Sequence, residues 1–303
     1  ILIHFYSVKQ KANKENKIRK KQLTSILDKL FQTTNITDEN GVFMKVLEVN
    51  NICKSFGELK AVNDVSFSIE EGHVFGLLGP NGAGKTTTIR MVMNIIIPDS
   101  GKIAVMGEDD ARKINNMIGY LPEERGIYRK MKLGEVLHFL GELKSMSRSS
   151  AEKEMNYWLD RLGLMEWKKK KIEELSKGMQ QKLQFIATIL HKPKLLILDE
   201  PFLGLDPLNA TMIKEIIMEQ KKAGTTIIFS THQMESAEKL CDEIMLINKG
   251  KSILSGNIHQ LKDGFGKRNI HLKYDGADDF LDNNAMILKY DNFGNYVEVQ
   301  LKE

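Results

Sequence analysis

Cysteine is nearly absent from this chain of 303 residues. Only Cys53 and Cys241 occur, far apart and without the paired spacing of a disulfide framework or a thiolate metal site. Their scarcity excludes a disulfide-stapled fold and fits a reducing compartment, with both thiols expected as inert core groups. Long hydrophobic runs are missing too. Stretches such as residues 91–98 and 195–198 fall well short of the roughly 20 apolar residues that a membrane-spanning helix needs. No apolar stretch follows the basic segment 9–21, so it does not read as a signal peptide. Excess charge of one sign is small: 44 Lys and Arg against 40 Asp and Glu leave +4, too little to argue for a nucleic-acid partner, and none is expected. Internal repeats are also absent, so the chain carries one copy of whatever site it has.

What is present is ordinary globular composition, 42% hydrophobic and 28% charged. Three stretches differ in texture. Residues 1–43 begin with Ile1, are rich in Lys, Asn and Thr, and give way at Met44 to regular, dense patterning. Two readings stay open: a non-native or disordered extension with Met44 as the true start, or an amphipathic helix over 18–31 that places Ile18, Leu23, Ile26, Leu27, Leu30 and Phe31 near helical spacing. Residues 44–256 form the main domain. Residues 257–303 read as a partial α+β accessory domain, with a strand over 269–274, a short helix and a hairpin turning at 291–295 that stops partway at Glu303.

Within the main domain, alternating apolar runs over 46–69 predict antiparallel strands. Residues 74–78 predict a buried strand and 85–95 a helix. A helical insert follows over 133–146 and 151–164, and Ser176 opens a helix to Leu190. The short β-branched runs 195–198 and 226–229 flank a helix over 208–222. Strands alternating with helices imply an α/β fold with a largely parallel sheet. Met91, Met93, Leu137 and Leu140 are expected in the core, and the run 168–171 as a solvated face.

Chemistry concentrates in a few places. Gly79-Pro80-Asn81-Gly82-Ala83-Gly84-Lys85-Thr86-Thr87 fits the phosphate-loop pattern of Gly, four residues, Gly, Lys, Ser or Thr. Its glycines let backbone N–H groups turn inward around phosphate oxygens at a helix N-terminus. Lys85 supplies a mobile charge for the β- and γ-phosphates, and the Thr86 hydroxyl can ligate Mg²⁺. Further along, an apolar strand delivers Asp199 and Glu200 at its carboxyl end, where parallel sheets place ligands. Asp199 suits the Mg²⁺ shell, and Glu200 suits polarising a water for attack on the γ-phosphate.

A third element, Leu175-Ser176-Lys177-Gly178-Met179-Gln180-Gln181, precedes a long helix. By itself Ser176 reads either as a plain N-cap or as the start of a phosphate-approaching helix. With the two motifs before it, this element resembles the signature of ATP-binding-cassette (ABC) transporter ATPases, although Lys177 and Met179 depart from the family's Leu-Ser-Gly-Gly-Gln. Three further matches keep the family order. Gly204-Leu205-Asp206 resembles its dimer-contact loop. Ser230-Thr231-His232 resembles its switch histidine, and Ile118-Gly119-Tyr120-Leu121-Pro122-Glu123-Glu124-Arg125 its coupling loop, with Glu123 where glutamine is usual. Phe56 stands where the family stacks an aromatic ring on adenine, a core Phe being the alternative.

The resemblance spans about residues 46–255, and the run 121–128 together with the signature variant is similar to sodium-extrusion and antibiotic-resistance exporters. It implies a P-loop NTPase of the ABC ATPase fold: a mixed sheet core, an antiparallel β subdomain, a helical subdomain and a small C-terminal appendage. It also implies ATP and Mg²⁺ as cofactors, with Glu200, His232 and Lys85 catalytic. The nucleotide would be bound by Phe56, residues 79–87, Ser176 and Gly178, and the metal by Thr86, Asp199 and Glu123. The implied partners are a second copy, head to tail across ATP, and an integral membrane permease. The implied place is cytoplasmic, peripheral on the inner face of the cell membrane.

Overall fold

A computed structural model of the chain describes residues 45–124, 126, 128–264, 269–272, 281, 286–292 and 297–301. The chain divides into residues 1–45 and 46–303. The expected extension over 1–43, and the helix that competes with it over 18–31, lie outside the described residues.

The second unit opens with two long strands, β1 (Lys45–Phe56) and β2 (Leu59–Glu70), turning at Gly57, followed by a short buried strand β3 (Val74–Leu78). Helix α1 (Lys85–Val92), β4 (Ser100–Val105) and β5 (Ile118–Leu121) come next. Helices α2 (Leu133–Leu143), α3 (Arg148–Arg161) and α4 (Lys177–Ile189) then run without an intervening strand. The chain re-enters the sheet at β6 (Leu195–Asp199), passes through α5 (Pro207–Lys222), β7 (Thr226–Thr231) and α6 (Met234–Leu240), and closes with β8 (Glu243–Asn248), β9 (Lys251–Asn257) and α7 (Ile258–Gly264). Strands β10 (Asn269–Leu272), β11 (Ile287–Asn292) and β12 (Val297–Leu301) form a small antiparallel sheet in the order β10-β12-β11. Residues 293–296, at the expected hairpin turn, lie outside the described residues.

The central sheet runs β5-β6-β7-β3-β8-β9, parallel except for β9. Its inner strands are buried on both faces, as parallel sheets require. Phe75, Leu77, Ile197 and Ile228 face one core, which they share with α1 and the antiparallel β2-β1-β4 sheet. Val74, Leu78, Leu196, Leu198 and Phe229 face a second core with α2 to α6. Alternation along each strand therefore serves two cores at once. Met91 and Leu137 are buried as expected, while Met93 and Leu140 pack at the margins.

Two expectations change. Cys241 is buried, and burial pushes its thiol well above the usual range, so it stays protonated and inert. Cys53 is only half-buried, on β1, where its sulfur accepts the Asp64 N–H at 3.2 Å. Lys168 is not a solvated charge: its ammonium donates to Glu152 at 2.5 Å and to Asn156 at 2.8 Å, and His138 meets the other Glu152 oxygen at 2.5 Å. The Lys168 hydrogen bond above all holds the Glu152 carboxyl down at about 2. This network ties α2 and α3 to the segment leading into α4.

The free edge of β5 is also dressed. Lys144, the C-cap of α2, donates to Asn115 O at 2.5 Å, Asn115 Oδ1 at 2.7 Å and Ile118 O at 2.9 Å. His191 reaches the same Ile118 carbonyl at 3.1 Å, so its Nε2 carries the proton, while the Thr188 hydroxyl donates back to Gln184 O within α4 at 2.8 Å. Burial lowers Lys144 to about 8 and, with the Lys144 charge beside it, His191 to about 4.

Gly76, midway along β3, leaves room for Cys241, which follows the end of α6, and for Ile244 of β8. A Cβ there would lie 2.6 Å from Cys241 Sγ and 3.2 Å from Ile244 Cγ2. Gly76→Ala is expected to lower stability by about 1–3 kcal/mol through overpacking. Adding Cys241→Ala should restore part of that loss, giving a non-additive double-mutant cycle by urea unfolding. Strict additivity would mean that the two sites do not touch.

Candidate nucleotide site

Sheet order creates the site. Strand β3 lies between β7 and β8, so the chain departs in opposite directions on its two sides, and β6 flanks β7. The registers Leu78↔Thr231 and Asp199↔Ser230 bring three strand ends level. The phosphate loop leaves β3, the paired carboxylates end β6, and His232 follows β7. Such a switch point at the carboxyl ends is where parallel α/β sheets hold ligands. A cleft of about 480 Å³ opens here, lined by Leu78, Gly79, Pro80, Asn81, His232, Met234 and Leu246.

Helix α1 begins at Gly84, whose φ of +111° lies outside the range that side chains favour and whose absent Cβ would sit 2.4 Å from Ala61 O. Gly84 offers no side chain to cap the helix, so the first-turn N–H groups are left for an anion. Lys85 is buried, 5% exposed, and its ammonium donates to Gly79 O at 2.8 Å and Pro80 O at 3.2 Å. It also stands 3.6 Å from Glu200 Oε1. Thr86 donates to Glu123 Oε2 at 3.4 Å, so these two expected metal ligands are neighbours.

Asp199 is 1% exposed. One oxygen, Oδ1, accepts the Ser230 hydroxyl, while Oδ2 is buried with no well-formed hydrogen bond among the described residues. Burial pushes the carboxyl above its usual range, against the pull of the Ser230 and Thr86 hydroxyls. Glu200 has a left-handed backbone at φ +48°, a conformation costing about 1–2 kcal/mol in a residue with a Cβ. Its N–H donates to Ser230 Oγ at 3.1 Å, and its Oε1 meets His232 Nδ1 at 3.0 Å.

The structure thus gathers Lys85, Thr86, Glu123, Asp199, Glu200 and His232. Ser176 and Gly178 stand apart. Ser176 caps α4, accepting the Met179 N–H at 3.2 Å, and nothing lies within 4 Å of a Cβ built at Gly178. Among the described residues no hydrogen bond or ion pair ties either to the phosphate loop. Phe56 is 50% exposed at the end of β1, with Lys54 Nζ 5.8 Å from its ring centre, which removes the core alternative. Asp206 caps α5 through the Asn209 N–H at 3.0 Å, and Arg125 lies outside the described residues. Two contributors were missed from the sequence. Gln181 donates to Pro201 O at 2.9 Å, joining α4 to the turn after Glu200, and Ser230 joins the two carboxylates. Both sit inside recognised motifs, which was the available signal.

The weakened acidity of Asp199 has a sign that can be tested. Below the unfolded value of 3.8 the group is neutral in both states and costs nothing; above its folded value it is charged in both, and burial opposes folding in full. Asp199→Asn should therefore raise the melting temperature of the nucleotide-free chain at pH 7, and the gain should shrink as pH falls through the acid range. Equal or lower stability of the variant at pH 7 would contradict a net burial penalty.

A family model described as ABC transporter matches residues 62–203. The uncharacterized ABC transporter ATP-binding protein YhaQ of Bacillus subtilis (strain 168) is 44% identical over 256 residues, 84% of this chain and 86% of that protein. The linearmycin resistance ATP-binding protein LnrL of the same organism is 39% identical over 70% of this chain and 69% of its own length. A solved ATP-binding subunit of an ABC transporter superposes with a TM-score of 0.69 at 31% identity, covering 73% of this chain and 93% of that one. With its phosphate loop, paired carboxylates and histidine at one end of the sheet, this chain belongs to the ATP-binding subunits of ABC transporters and is an ATPase.

Proposed function

We propose that this ATPase subunit drives a separate membrane permease, working as a head-to-tail pair with a second copy of itself. The observation that carries the pairing is the separation of two half-sites in one chain. The phosphate loop and carboxylates are assembled, whereas the N-terminus of α4, with Ser176 and Gly178, faces open space. In the pair each ATP lies between residues 79–87 of one copy and Ser176 and Gly178 of the other, with the Phe56 ring against adenine. Hydrolysis then depends on closure, and closure pulls on the permease. Residues 44–256 form the nucleotide-binding domain and 257–303 an accessory part. No helix among the described residues is long and apolar enough to cross a membrane; in this reading the permease is a separate polypeptide and the subunit works from the cytoplasmic face. The transport is read here as outward, of ions, drugs or peptides, and the relative named for linearmycin resistance accords with a drug among them.

The donor set fits Mg²⁺. Asp199 Oδ2 is a buried carboxylate oxygen without a well-formed hydrogen bond, and Thr86 and Glu123 add oxygens next to each other. Among the described residues no three His, Cys, Asp or Glu side chains cluster to enclose a cation, as suits a metal that completes its shell with phosphate oxygens and water. When bound, Mg²⁺ neutralises charge developing on the β- and γ-phosphates. Lys85 binds those phosphates. Glu200 accepts the proton of the attacking water as the new oxygen–phosphorus bond forms and the bond to the β–γ bridging oxygen breaks, releasing ADP and phosphate. His232 orients Glu200 through its Nδ1–H.

Glu200→Gln is expected to bind ATP normally and to hydrolyse it about 100- to 10,000-fold more slowly, since the amide keeps the shape but accepts no proton. The variant should accumulate ATP-dependent dimers on size exclusion and, isolated from membranes, should bring a multi-spanning partner with it. Near-normal turnover would remove Glu200 from the mechanism. Glu123→Gln exchanges a charged oxygen for a neutral one beside Thr86. It should raise the Mg²⁺ concentration for half-maximal turnover without abolishing activity, whereas superimposable Mg²⁺ titrations would show that Glu123 does not serve the metal.

A further inference from the structure

Ser230 has no role in the scheme above, yet its hydroxyl touches both carboxylate residues. The O–H donates to Asp199 Oδ1, and the same oxygen accepts the Glu200 N–H at 3.1 Å. One hydroxyl has a proton and two lone pairs, so it can do both at once. The residue is fully buried on β7, directly opposite Asp199 in the β6–β7 register, so no water replaces it.

We propose that Ser230 is a positioning residue for ATP hydrolysis, a single clamp that sets the metal-side and water-side carboxylates together. On the Asp199 side, engaging Oδ1 leaves Oδ2 as the free oxygen. On the Glu200 side, the bond to Oγ holds a left-handed backbone, φ +48°, that aims Oε1 at His232 Nδ1 and Lys85 Nζ. Without the hydroxyl, Asp199 Oδ1 and the Glu200 N–H lose a buried partner together, and the turn is free to relax out of its unfavourable conformation. Two groups with different tasks then drift at once. Ser230 is fully buried with its hydroxyl engaged by Asp199 and Glu200, so it acts through these neighbours. The inference rests on the roles proposed above for Asp199 and Glu200.

The test compares Ser230→Ala, Ser230→Thr and Ser230→Cys by kcat, ATP KM and the Mg²⁺ concentration for half-maximal turnover, in the full chain. Ser230→Ala is expected to lower kcat about 10- to 100-fold and to raise the Mg²⁺ requirement, with ATP KM changed less than about threefold. Threonine keeps the hydroxyl and should recover kcat to within about threefold, whereas cysteine fills the space with a weak donor and should not. Wild-type kcat and Mg²⁺ dependence in Ser230→Ala would overturn the proposal, as would cysteine restoring turnover as fully as threonine. That threonine–cysteine comparison decides the matter even if the alanine chain does not fold. Asp199→Asn and Glu200→Gln are measured alongside. If both keep full turnover, the proposed site roles fall and this inference with them. If both lose it while Ser230→Ala does not, only the clamp is overturned.

Discussion

Asp199 and Glu200 place two carboxylates side by side at the end of a strand that is buried throughout, where negative charge is costly unless donors and cations are fixed around it. Much of the surrounding architecture answers that constraint. Strand β7 brings Ser230 level with Asp199 and His232 close to Glu200, while the helix that starts at Gly84 carries Lys85 to within 3.6 Å of the Glu200 carboxylate. The answer is incomplete by design, since Asp199 keeps one buried oxygen without a well-formed hydrogen bond.

The same logic explains why the core is so apolar on both sides of the sheet. Lys85, Asp199 and Glu200 are themselves buried, so their charges act on one another more strongly than they would in water. The helical layer contributes less charge and more geometry. Its His138–Glu152–Lys168 network fixes the entry to α4, and Gln181 ties α4 to the turn carrying Glu200. The helix that Ser176 caps is thereby bonded to the turn that follows Glu200.

Much of this was legible in the sequence because it is local. A glycine-rich loop between a buried strand and a helix, or two acids after four apolar residues, declares itself within a single window. Features that depend on the pairing of distant strands did not. Nothing local to Ser230 says that it faces Asp199, which is 31 positions away along the chain, and the sheet order β7-β3-β8 has no signature of its own. Lys168 was read as solvated because its neighbours in sequence are lysines, yet its neighbours in space are Glu152 and Asn156. Cys53 shows the opposite error, a thiol expected in the core that is only half-buried on β1.

Strand β5 is the outer member of the parallel run, and a strand so placed offers its outward carbonyls to any passing chain that can extend the sheet. Here one of those carbonyls, Ile118 O, is already taken by Lys144 and His191. A foreign strand would have to displace an ammonium and an imidazole from that carbonyl and leave the His191 Nε2–H without its acceptor. The helical layer therefore does more than carry Ser176. It insulates the sheet against strand addition, and with it against the edge-to-edge aggregation that an exposed parallel strand invites.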